Sequence, residues 1–330
     1  VADLSERELI ERIRARLPPP PGWLLVGIGD DAAVVETEKN RLEVLSVDAL
    51  VEGIHFDRRF TPPAAIGHRA LAVNLSDLAA MGAAPRLALL SLALPAALPI
   101  ADFDGMIDGL AALAAQERIH VVGGNLTRSP GPLMLDVTVA GTVKRRHALT
   151  RGGARPGDEL YVSGSIGAAA AGLQILKALG DSRLTADESR LVAAFRMPAP
   201  RVRLGVLVGR NRAASACMDL SDGLADAVHQ IADASGVGAI IDADALPIDA
   251  AARAWFDAHG VEPVDAAVAG GDDYELLFAV RPRGVRRFEA AARPARIPLT
   301  RIGVCTPDRR VQLRRAAGSA EWPRGYHHFR

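Results

Sequence analysis

Ala72-Val73-Asn74-Leu75-Ser76-Asp77-Leu78-Ala79-Ala80-Met81-Gly82-Ala83 is apolar except at Asn74, Ser76 and Asp77. It closes a longer run, residues 64–81, that reads as one helix. A carboxylate set in such a run is costly to bury unless it is paired or ligates a metal. The plain alternative is a polar position on an otherwise apolar helix, and Asp77 alone does not decide between the two. Outward from this helix the chain mixes strands with helices. Residues 42–48 and 87–93 predict strands, 103–116 a helix, and 120–122 a short strand ending in Gly123-Gly124-Asn125. Residues 133–143 alternate apolar with small or polar side chains, the period of a strand.

Residues 150–158, Thr-Arg-Gly-Gly-Ala-Arg-Pro-Gly-Asp, interrupt the periodicity with Gly and Pro and mark a boundary. Beyond it the pattern restarts. Strands are expected at 160–163, 239–241, 275–280 and 299–304, and helices at 167–179 and around 188–208. The fold class is therefore α/β (α+β) in two domains, residues 1–147 and 148–330, which 330 residues amply allow.

Thirty-nine basic residues offset thirty-nine acidic ones, so no overall field attracts nucleic acid or an anionic membrane. Binding of a polyanion must be local or run through metal ions. Cys217 and Cys305 have no partners at metal-ligand spacing; a lone disulfide stays open, but two reduced thiols are the better reading. Ser5 to Glu8 forms a capping box before Leu9, Ile10, Ile13 and Leu17, so a helix rather than an export signal is expected there. The apolar stretch 87–101 is broken by Pro95 and Pro99 and falls short of the ~20 residues of a membrane span. A cytoplasmic chain with no membrane partner is the expectation.

Gly27-Ile28-Gly29-Asp30-Asp31-Ala32 fits the G-x-G-x-x-A dinucleotide pattern, but two Asp side chains there would repel a pyrophosphate. No P-loop and no H-E-x-x-H occurs. What remains is a set of acids at the ends of apolar segments: Asp30, Asp31, Asp48, Asp77, Asp219, Asp222, Asp272 and Asp273. Each singly reads as a turn or cap; Asp222, for instance, could cap a helix starting at Gly223. Together they suit Mg²⁺, which takes carboxylate oxygens and bridges to phosphate. Several such loops converging on one crevice would let a neutral protein accept a nucleotide.

The motifs then become specific. Gly27-Ile28-Gly29-Asp30-Asp31-Ala32-Ala33, Ser46-Val47-Asp48, Gly53-Ile54-His55-Phe56 and the 72–83 stretch follow one another in order. Leu149-Thr150-Arg151, Asp219-Leu220-Ser221-Asp222-Gly223, Gly270-Gly271-Asp272-Asp273-Tyr274-Glu275-Leu276 and Gly325-Tyr326-His327-His328-Phe329 complete the series. This ordered series resembles the thiamine-monophosphate kinases, a family similar in fold to aminoimidazole ribonucleotide synthetase. The resemblance implies an N-terminal domain that binds ATP and magnesium and forms a homodimer through its sheet. A C-terminal α/β domain would complete the active site.

Carried over to this chain, the resemblance implies several magnesium ions on Asp31, Ser46, Val47, Asp48, Asp77, Asn125, Asp219 and Asp222. ATP, the co-substrate, would touch Gly124, Asn125, Arg151 and Ser221, and thiamine monophosphate would border His55, Asp272 and Tyr326. Asp48, Asp222 and Arg151 would carry catalysis. Three positions depart from the family pattern. Val47 stands where Thr is frequent, removing a side-chain oxygen near the metals; Asn125 replaces a frequent Asp, and Asp272 a frequent Glu. The acceptor implied by the resemblance would be an ionised phosphate oxygen, so in-line positioning and charge neutralisation would suffice without a general base. A cationic thiazolium ring would suit an aromatic neighbour, Tyr326 or Trp322, although tail packing explains those rings equally.

Other enzymes of the fold stay open as alternatives, aminoimidazole ribonucleotide synthetase among them. Selenophosphate synthetase would need a Cys or selenocysteine and a Lys near the start, but neither Cys nor Lys precedes Lys39. The hydrogenase-maturation dehydratase would end in Cys, whereas this sequence ends His327-His328-Phe329-Arg330. A catalytically silent nucleotide-binding dimer also remains, because of Val47 and Asn125.

Overall fold

The helix expected over 64–81 forms as Pro63–Ala80, and Ile66, Leu71, Leu75 and Leu78 on it are wholly buried. Truncating one such side chain to Ala costs about 2–5 kcal/mol, so this helix is fixed by its core. Asn74 and Ser76 are buried with it. The Asn74 amide donates to the Ala70 carbonyl at 3.0 Å, and its oxygen accepts the Asp48 backbone N–H at 3.0 Å. Asp77 is only partly buried. The helix turns that one position outward, so the bare desolvation penalty does not apply.

The computed structural model describes residues 1–2, 4–180, 184–316 and 318–323. The chain divides into two units, residues 1–78 with 84–143, and residues 79–83 with 144–330. In the first, a four-stranded sheet runs in the order Leu42–Val51, Met134–Val143, Ala84–Pro95, His120–Ser129. Its first two pairings are antiparallel and the last is parallel. The strand expected to stop before Gly123-Gly124-Asn125 continues through these residues, because parallel pairing to Leu89-Leu90-Ser91 carries it on. Gly124 is required there, since a Cβ would lie 1.8 Å from the Leu90 carbonyl oxygen. The helix Glu6–Arg16 carries the expected Ser5–Glu8 capping box.

Register sorts the sheet into two faces, because successive strand residues point to opposite sides. Ser46 and Asp48 stand opposite Val139 and Val137, both buried. Leu45 and Val47 lie on the other face and are 70% and 55% exposed, as is Leu89 at 39%. One face of this sheet is thus packed and the other is largely open within the chain.

The second unit is built on a seven-stranded sheet ordered Gly318–Glu321, Val311–Arg315, Gly238–Asp242, Leu299–Thr306, Glu159–Ser163, Leu276–Val280, Ala216–Asp219. Only Val311–Arg315 with Gly238–Asp242 pairs in parallel among these. Leu160, Val162, Leu277, Ala279 and Ile302 from the strands pack with Leu224, Val228 and Ile231 of the helix Gly223–Ser235. Trp322 joins this core and donates its indole N–H to the Ala225 carbonyl at 2.9 Å, so it is a packing residue and not a ligand-facing ring. Cys217 and Cys305 are buried free thiols; burial, and Asp219 beside Cys217, push that thiol well above its ordinary pKa.

Candidate active site

In the first unit the edge strand Leu42–Val51 and the helix Pro63–Ala80 bring four polar side chains together. Ser46 and Asp48, two apart on a strand, share a face; Asn74 and Asp77, three apart on a helix, do likewise. The Ser46 hydroxyl makes a short hydrogen bond to the Asp77 carboxylate, and Asn74 holds the Asp48 backbone. Asp48 is exposed and Ser46 half-buried. Two carboxylates and a hydroxyl on rigid elements therefore meet solvent as one hard-oxygen donor set. Just beyond the strand, the His55 Nδ1 accepts the Val51 N–H at 3.0 Å, which orients its ring.

Asp31, Gly124 and Asn125 belong elsewhere. They line a groove of about 1030 Å³ together with Asp30, Ser91, Asp136 and Thr138. The groove lies on the open face of the sheet, the face of Val47, and not on the face of Ser46 and Asp48. Within this unit the acids are thus divided between two faces of one sheet instead of sharing a single crevice. The same register shows that a hydroxyl at position 47 would not stand beside Ser46 and Asp48. Val47 removes nothing from that donor set; its side chain lies on the opposite face, next to Thr138. Asp136 and Thr138 escaped the sequence reading, although the alternation of the 133–143 strand already placed them on one side.

In the second unit two loops lie side by side. Asp219 ends its strand, buried, and receives the Ser221 hydroxyl at 3.4 Å. The Asp272 N–H donates to the Ser221 carbonyl at 2.8 Å and the Tyr274 N–H to the Leu220 carbonyl at 3.2 Å. The Leu220 N–H returns to the Glu275 carbonyl at 2.8 Å. Asp219, Ser221, Asp222 and Asp272 are therefore neighbours. Asp222 occupies the N-cap position of the helix Gly223–Ser235, yet its side chain makes no capping hydrogen bond. The capping role that the sequence left open for it is not taken up.

Arg151 is not beside them. Its guanidinium is exposed and donates to Gln230 at 2.7 Å, and Gln230 donates in turn to Asp226 at 3.0 Å. At 1.5 Å per residue, Gln230 stands roughly 12 Å along the helix from Asp222. Tyr326 lies outside the described residues. Among the described residues, no group of three or more His, Cys, Asp and Glu side chains is gathered to hold a metal ion by itself.

The donor chemistry still fits magnesium. Mg²⁺ commonly takes one or two carboxylates, keeps waters, and completes its shell with substrate phosphate oxygens. The pair Asp48 and Asp77 with Ser46, and the pair Asp219 and Asp222 with Ser221, have that composition. A closed cage of protein ligands is not what such an ion needs.

The known proteins that this chain is similar to agree with these features. The family model "AIR synthase related protein, N-terminal domain" matches residues 29–143, and "AIR synthase related protein, C-terminal domain" matches residues 155–315. The chain thus belongs to the AIR synthase related family of two-domain proteins. A thiamine-monophosphate kinase of Synechococcus elongatus is 37% identical over 100% of this chain and 98% of its own length. The crystal structure of a thiamine-monophosphate kinase from Stenotrophomonas maltophilia superposes with a TM-score of 0.83 at 41% identity, covering 94% of this chain and 96% of that one. AaThiL complexed with AMPPCP and TMP gives 0.79 at 30% identity, covering 100% and 98%. Within the family, the chain belongs to the thiamine-monophosphate kinases.

Proposed function

We propose that this protein transfers the terminal phosphoryl group of ATP to thiamine monophosphate, giving thiamine diphosphate. The observation that carries this reading is the end-to-end similarity to thiamine-monophosphate kinases, including one held with an ATP analogue and TMP. Paired hard-oxygen donors on rigid elements, in a chain without a P-loop, support it.

Magnesium, when bound, neutralises the phosphate oxygens of the nucleotide. Asp48, Asp77, Ser46 and the Val47 backbone would hold it in the first unit, with Asp31 and Asn125 on the open face; Asp219 and Asp222 would do so in the second. Gly124 offers backbone at the groove wall, and Asn125, Arg151 and Ser221 add polar contacts to ATP. His55 and Asp272, with Tyr326, border the acceptor. The attacking atom is a phosphate oxygen, already ionised at neutral pH, so these side chains need only align donor and acceptor in line.

The division of labour follows the sequence domains, with ATP binding and dimerisation in residues 1–147 and completion of the active site in 148–330. The open sheet face bearing Leu45, Val47 and Leu89 supports a homodimer, since contiguous exposed apolar surface marks interaction sites. Two free buried thiols suit a reducing compartment such as the cytoplasm. Coupled measurement of ADP release tests the reaction. ADP formation that requires both Mg²⁺ and thiamine monophosphate is expected. Tight Mg-ATP binding with no acceptor-dependent ADP would leave a silent nucleotide-binding protein instead.

A further inference from the structure

The loop Gly270–Glu275 holds two non-glycine residues in the left-handed region, Asp272 at φ 71° and Tyr274 at φ 49°. Such conformations cost on the order of 1 kcal/mol or more each and persist only where the surroundings fix them. Here the fixing is done by Asp273 between them and Glu275 just after them. The Asp273 carboxylate accepts the Gly167 N–H at 2.8 Å and the Ala169 N–H at 3.3 Å, at the start of the helix Ala168–Leu179. Glu275 is buried; its carboxylate accepts the Ser163 hydroxyl at 2.5 Å and Arg201 Nε at 2.8 Å, with a second, shorter contact to Arg201 Nη2. Ser163 closes the ring by accepting the Leu276 N–H at 2.9 Å.

The strained residues face each other across this anchor. The Tyr274 hydroxyl donates to Asp272 Oδ1 at 3.2 Å, while the Asp272 backbone is tied to Ser221. A merely structural turn has no need of two left-handed non-glycine residues and two inward acids. Gly at 272 and 274 would remove the strain. The arrangement makes sense if the direction of the Asp272 carboxylate matters.

We propose that Tyr274, and the pair of buried Glu275 and half-buried Arg201 with Asp273, are positioning residues that aim Asp272 at the acceptor. This rests on the reading of Asp272 as an acceptor-side residue. Of the residues assigned to the nucleotide, Ser221 meets this loop only through its backbone carbonyl, so side-chain replacements in the network should act on the acceptor side.

Steady-state kinetics with each substrate varied tests it, using three replacements. Asp272→Ala sets the scale, with a KM for thiamine monophosphate raised about tenfold or more and the KM for ATP held within about twofold. Tyr274→Phe removes only one hydroxyl and should raise the acceptor KM about three- to tenfold with the ATP KM unchanged. Added to Asp272→Ala it should change nothing further, because it acts through Asp272. The joint replacement Arg201→Met with Glu275→Met exchanges a part-buried ion pair for apolar volume, is expected to keep the chain folded, and should also raise the acceptor KM selectively. Should the joint replacement unfold, Tyr274→Phe and its non-additivity decide. If Asp272→Ala raises the acceptor KM while Tyr274→Phe and the joint replacement do not, the positioning claim is overturned and the acceptor assignment stands. If Asp272→Ala leaves the acceptor KM unchanged, both are overturned.

Discussion

Asp48 and Asp77 sit on a strand and a helix whose positions are set by apolar packing, and Asp48 meets solvent. Asp273 and Glu275 sit in a loop and supply the contacts that hold it. In the first region the fold positions the acids; in the second the acids position the fold. The same residue type thus has opposite relations to stability. An exposed acid on a rigid element can be changed at little cost to folding, whereas a buried anchoring acid cannot.

Removing the partner of a buried acid should have the largest effect. Arg201→Met leaves Glu275 buried without its cation and should lower the unfolding free energy by about 3–5 kcal/mol, read by urea denaturation. Asp48→Asn should do the reverse. Turnover falls about a hundredfold, near 2.7 kcal/mol of transition-state stabilisation, while unfolding shifts by less than about 0.5 kcal/mol. A stability loss matching the activity loss would erase the contrast between the two regions. Gly164→Ala sharpens it, because the new Cβ would lie 2.0 Å from Glu275 Oε1 at a φ of 59°; a loss of about 1–3 kcal/mol is expected by thermal unfolding.

A further effect concerns pH. Loss of hydration raises the Asp273 carboxyl from 3.8 to about 8, with Glu275 and Asp272 adding to the rise and the Gly167 and Ala169 N–H groups opposing it. Between these values the folded state holds a proton that the unfolded state has released, so this group's stabilisation is lost as pH rises towards 8. The slope approaches about 1.4 kcal/mol per pH unit. Asp273→Asn should flatten the stability profile between pH 5 and pH 8 in roughly that proportion; an unchanged profile would show that Asp273 does not titrate there.

Much of this was legible in the sequence where periodicity and order carry information. The 63–80 helix, the 134–143 strand and the two-half organisation follow from apolar spacing and from Gly and Pro punctuation. Three things were not. The exposure of Asp77 depends on the helix's rotation against a sheet, which a run this apolar does not reveal. The separation of Asp31 and Asn125 from Ser46 and Asp48 depends on cross-strand register. The anchoring of Asp273 and Glu275 depends on Gly167, Ser163 and Arg201, some 70 to 110 positions away in the chain, beyond the reach of any local motif.

Phosphorus NMR of the protein with ATP, Mg²⁺ and thiamine monophosphate tests the central claim most directly. The account predicts that the monophosphate resonance gives way to the paired resonances of a diphosphate ester as ADP appears in equal amount. An unchanged monophosphate resonance, with ATP intact or converted only to inorganic phosphate and ADP, would contradict it.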